Sequence, residues 1–113
     1  MAQRRRWERV RTDLAVIIDR DAARPVDART LDLCENGLGV LSPDALDVGA
    51  QHRFSIPDIA PGAMVGVIRW CMPSIARGGF VLGVELVELS AEDADKLADH
   101  LASARAESAG EDE

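Results

Sequence analysis

The chain is 113 residues long, 47% apolar and 29% charged, with a formal net charge of −7. That length holds one domain with one modest core, and the apolar share excludes wholesale disorder. An acidic body repels the phosphate backbone of nucleic acids, and 4% aromatic residues are too few for the stacking surface of a single-strand binder.

The charge is unevenly spread. Arg4, Arg5, Arg6, Arg9 and Arg11 are five of the thirteen basic residues, while the C-terminus carries Glu107, Glu111, Asp112 and Glu113. A basic cluster on an acidic body suits a small, discrete anion. Residues 1–11 have little to bury, so a flexible arginine-rich segment is expected there. No apolar signal-peptide region follows it. The longest apolar candidate, Leu14 to Ile18, falls far short of the roughly 20 residues of a membrane helix. A cytoplasmic protein with no membrane insertion is expected.

Strand signals dominate residues 12–106. Asp13 to Asp19 contains Val16, Ile17 and Ile18, β-branched residues that fit a pleated surface. Val26, Ala28 and Thr30 alternate with Asp27 and Arg29 up to Leu33, a period of two. Glu35-Asn36-Gly37 reads as a turn in which Asn36 and Gly37 accept positive φ, and Leu38 to Leu41 resumes a short strand. Ser42 to Gly49 is a loop, Gln51 to Ile56 a strand, and Pro57 to Gly62 a second loop. Ala63 to Met72 and Phe80 to Leu89 are strands around a turn at Pro73 to Gly79.

The period then changes. Ser90 is a helix N-cap with Asp93 three residues on, and Ala94, Leu97, Ala98 and Leu101 repeat at helical spacing. A helix over about Ala91 to Ala106 follows, with an acidic tail over 107–113. Six or seven short strands with one terminal helix point to an antiparallel β-barrel.

Catalytic signals are absent. Cys34 and Cys71 form no CxxC pair, and His52 and His100 are isolated, so no metal site or cofactor is expected. There is no nucleophile–base set and no Walker-type loop. Gly37-Leu38-Gly39 and Gly78-Gly79 lack the strand–helix context of a phosphate loop. An enzyme is not expected.

Two patterns remain. Arg5 to Arg9 spells RxxxR just before the first strand, and Asp32-Leu33-Cys34-Glu35-Asn36-Gly37 spells DxCxxG at the end of the second. Together they resemble the PilZ domain family, whose ligand-binding members carry RxxxR and [D/N]xSxxG at these places. The resemblance runs from about Arg4 to Leu101, with Gly49, Val67-Ile68-Arg69-Trp70 and Gly83-Val84-Glu85-Leu86 in the same order. It implies a receptor for the bacterial second messenger cyclic di-GMP that signals through altered contact with a partner protein, as monomer or homodimer.

By that resemblance Arg5 and Arg9 would hold guanine and phosphate, and Arg4 and Arg6 would assist. Asp32 would accept from a guanine edge, Gly37 would permit the turn, and Trp70 would stack on a base. The chemistry is coherent, because guanidinium forks bind phosphate and guanine O6/N7 bidentately. Each residue also has a plainer role: a solvated arginine run, a turn-forming Asp32, Trp70 in the core. Cys34 stands where the family has serine, and a thiol is the weaker hydrogen-bonding group. That departure weakens the expected ligand site and leaves a second reading, a PilZ-type interaction module that binds no nucleotide.

Overall fold

The computed structural model describes residues 9–20 and 24–111, with side chains through Glu107. Seven strands precede one helix: β1 (Val10–Arg11), β2 (Ala15–Asp19), β3 (Val26–Cys34), β4 (Gly37–Ser42), β5 (Gln51–Ile56), β6 (Ala60–Pro73), β7 (Phe80–Glu88) and α1 (Ala91–Glu111). The hydrogen-bonded order is β1-β3-β2-β5-β6-β7-β4, and a further β3–β4 pairing closes six strands into a barrel. Every pairing is antiparallel. β1 and β2 pair in succession along one edge of β3, and β4 takes the other edge.

Alternation fills the barrel. Val26, Ala28 and Thr30 of β3 face inward, while Asp27 and Arg29 face out. Ile18, Leu33, Leu38, Phe54, Ile56, Met64, Ile68 and Leu82 are fully enclosed. Closure leaves these six strands without a free edge. The helix starts as the sequence requires: Ser90 Oγ accepts from the Asp93 amide at 3.0 Å, and Glu92 and Asp93 lie at the positive end of its dipole. Leu97 and Leu101 are buried against the core. Farther along, Arg105 makes a two-armed contact with Glu35 in the β3–β4 turn, at 2.7 and 3.1 Å.

Several strand ends differ from the sequence reading by one or two residues, and three differences are larger. Val10 and Arg11 fall in the arginine-rich segment by composition, yet they pair with Leu33 and Asp32 as β1. β6 begins at Ala60, inside the expected proline loop, because Ala60 pairs with Ile56. The helix runs past Ala106 to Glu111.

The break between β1 and β2 is bridged by one buried hydroxyl. Thr30 is 1% exposed, and its Oγ1 accepts from the Leu14 amide at 2.9 Å and from the Thr12 hydroxyl at 2.8 Å. Backbone bonds from Thr12 to Leu31 and from Thr30 to Leu14 flank it. Without that oxygen the Leu14 amide loses its partner in a place water reaches poorly. Thr30→Val keeps the shape and removes the acceptor. It is expected to cost about 1–3 kcal/mol, read as a lower urea midpoint with an unchanged m-value.

Candidate functional site

The site is built by two irregularities. On β3, Thr30 pairs with Val40 but Asp32 pairs with Gly39, so two residues of β3 oppose one step of β4. The extra residue shifts the parity of the strand. Thr30 faces the core; a regular strand would send Asp32 the same way, and the bulge turns it out instead, half-exposed. On β6, Ile68 pairs with Val84 and Trp70 with Gly83. The same displacement there keeps Ile68 inside and places Trp70 on the outer face, 44% exposed. The core alternative for Trp70 is therefore excluded.

Between these strands lie β4 and β7, which put Gly39 opposite Gly83. Asp32, Gly39, Gly83 and Trp70 thus form one row across four strands, all on the outer face. The two glycines leave the middle of the row bare. A Cβ at Gly39 would meet Asp32 Oδ1 at 2.8 Å, and one at Gly83 would overlap the Trp70 indole nitrogen. The missing side chains let the carboxylate and the indole lie down on the sheet.

Arg9 comes from just before β1 and reaches the same spot. Its Nη1 donates to Asp32 Oδ1 at 2.6 Å, and the Gly39 amide donates to the same oxygen at 2.9 Å. Asp32 Oδ2 has no hydrogen-bond partner among the described residues. The Arg9 guanidinium also lies beside Gly37, where a Cβ would come within 3.8 Å of Nη2 and 2.6 Å of the Val84 carbonyl oxygen. Gly37 is required by that close backbone approach and not by its φ. The positive-φ glycines are Gly49, Gly78 and Gly79; the turn itself is Glu35-Asn36, and Gly37 already belongs to β4.

Arg9, Asp32 and Gly37 are therefore brought together, with Trp70 in the same row. Cys34 is near in sequence but buried, and its thiol donates to Asn36 Oδ1 at 2.8 Å. Arg4, Arg5 and Arg6 lie outside the described residues. Sequence reasoning missed Gly39 and Gly83 as the floor of the row. Their only signal is lack of bulk in otherwise apolar strands.

Alongside the row runs an open groove of about 500 Å³ lined by Arg11, Asp13, Arg29, Asp32, Leu41 and Arg77, among others. Arg29 holds Asp13 through Nε at 2.8 Å. That bond, then the charge of Arg29 and the weaker field of Arg77, keep the Asp13 carboxyl below its usual range. No group of three metal-ligating side chains occurs among the described residues, and no described helix is long and apolar enough to cross a membrane.

The described residues thus form a closed antiparallel barrel whose outer face carries an arginine–aspartate contact. The chain belongs to the PilZ domain family, which it matches over residues 3–103. Among solved structures it is similar to the Bacillus subtilis inhibitor of motility (MotI/DgrA), with a TM-score of 0.71 and 20% identity. The match covers 87% of this chain and 49% of that one, so the chain spans about half its length. No curated protein matches.

The floor of the row is open to test. Gly83→Ala in a Trp7→Phe background is expected to lift the Trp70 indole from the sheet. Its fluorescence should shift to the red and be quenched more readily by acrylamide. An unchanged spectrum would show that the indole does not rest on Gly83.

Proposed function

We propose that this protein is a receptor for cyclic di-GMP and passes the signal on by altered contact with a partner protein. The observation that carries the reading is the contact between Arg9 and Asp32 beside Gly37. It joins two motifs separated by 23 residues, on an outer face where a ligand has access.

The chemistry of the contact suits a guanine. Asp32 offers carboxylate oxygens, and the guanine N1–H and N2 amino donors would meet them as a fork. In the free protein the Arg9 guanidinium presents a similar donor to Oδ1. Ligand binding then exchanges one donor for another, and the carboxylate is not left unpaired, which for a charged group is the costly state. The released Arg9 is free to turn to a phosphate or to guanine O6/N7. Arg5, with Arg4 and Arg6, would close over the phosphates, and Trp70 would supply a stacking face at the far end of the row. The rearranged N-terminal segment is the surface a partner protein would read.

Cys34 favours a weaker site. Its thiol is engaged with Asn36, and a thiol in place of a hydroxyl forgoes about 0.5–1.5 kcal/mol. Cys34→Ser is expected to tighten binding by up to about tenfold.

Calorimetric titration with cyclic di-GMP, with GTP as control, tests the reading. Selective binding at micromolar affinity or better is expected. Asp32→Asn and Arg9→Ala should each weaken it by about tenfold to a hundredfold, the scale of a lost charged hydrogen bond. Undiminished affinity in both variants would remove the mechanism. No binding by the parent protein would leave the interaction module that takes no nucleotide, its partner to be sought by pull-down.

A further inference from the structure

The groove beside Asp32 concentrates positive charge in a protein whose net charge is −7. Arg11 pairs with Asp32 in the β1–β3 ladder, so the two side chains leave the same face. Arg29 faces outward farther down β3, and Arg77 enters from the β6–β7 turn. The groove's two carboxylates are both engaged already, Asp13 by Arg29 and Asp32 by Arg9. Arg11 and Arg77 have no side-chain partner among the described residues. Outside the groove Arg20, Arg69 and Arg105 are each paired with a carboxylate, of Asp44, Glu85 and Glu35. With Arg29 matched by Asp13, the guanidiniums of Arg11 and Arg77 remain as charge without matching acid; their mutual repulsion destabilises the fold, and an anionic occupant reverses that sign.

We propose that Arg11, Arg29 and Arg77 form a second anion subsite that takes a phosphodiester group, extending the ligand face along β3 away from Arg9. The identity of the whole ligand rests on the receptor reading above, but the subsite itself does not. Planar guanidinium forks grip a phosphate from several sides, and the groove volume of about 500 Å³ is that of a small-molecule site. Its floor continues through Leu41 to Val81 and Met72, which pair across β4, β7 and β6 and offer apolar area for a base or sugar. A ligand that spans from Asp32 into this groove sets a base edge on the carboxylate and a phosphate among the arginines.

The test uses two probes on the full chain. Inorganic phosphate is titrated while the Nε–Hε signals of the arginines are followed by NMR, and cyclic di-GMP is titrated by calorimetry. Phosphate is expected to shift the Arg11, Arg29 and Arg77 signals saturably and to leave Arg24 and Arg53 unmoved. Arg77→Gln, at an exposed turn, should keep the thermal midpoint, weaken phosphate several-fold and weaken cyclic di-GMP by about tenfold. Saturable phosphate binding without any cyclic di-GMP binding would uphold the subsite and overturn the receptor reading. Full cyclic di-GMP affinity in Arg77→Gln, with no saturable phosphate shift, would overturn the subsite and leave the receptor reading standing. Phosphate shifts of equal size at Arg24 and Arg53 would reduce the groove to general surface charge and overturn it as well.

Discussion

The outer face of this barrel depends on parity. A β-strand sends alternate side chains to opposite faces, and inside a closed barrel a charge or an unpartnered polar group is costly. Asp32 lies two residues beyond Thr30, and Trp70 two beyond Ile68, and both Thr30 and Ile68 point into the core. Only an extra residue in each strand allows the carboxylate and the indole to reach solvent while Leu33 and Ile68 stay inside. The two bulges flank the regular β4–β7 pair, so their effects coincide in one row. Remove either bulge and the row loses one end, or the core gains a charge.

The rest of the site follows from that placement. With Asp32 outside, its carboxylate needs donors, and the bare surface of Gly39 lets it lie within reach of that residue's own amide. The approach of Arg9 adds a charged donor to the same oxygen. Both partners are substantially exposed, so the pair contributes little to global stability. Its value is positional: it holds Arg9 over the outer face just before β1. Membership of the PilZ family accounts for the shared scaffold, while the 20% identity to the motility inhibitor extends the likeness to the fold and no further.

Much of the architecture was legible in the residues. The period of two in Val26 to Thr30, the N-cap at Ser90 and the spacing of Leu97 and Leu101 report packing that is local to each element. The site was legible only in part. RxxxR and DxCxxG name Arg9, Asp32 and Gly37, but not why they meet. Hydrophobic periodicity counts residues from the last buried one, and a bulge resets that count without a characteristic composition. For this reason Trp70 reads equally well as core. Gly37 reads as a turn glycine because its actual neighbour, the Val84 carbonyl, lies 47 positions away in the chain. Arg77 carries no signal at all; only the folding of the β6–β7 turn across the sheet brings it to Arg29.

The barrel closes through six strands, and β1 is not one of them. Its two residues pair with an edge segment of β3 that β2 leaves uncovered, with Val10 packed against the core and Thr12 and Leu14 bonded to the Thr30 hydroxyl just beyond. Such a segment can detach for the free energy of a few hydrogen bonds and the packing of Val10, while the ring of strands behind it stays intact. Opening of β1 is thereby uncoupled from unfolding. A protein arranged in this way can rearrange the segment that carries Arg9 without approaching its own melting transition.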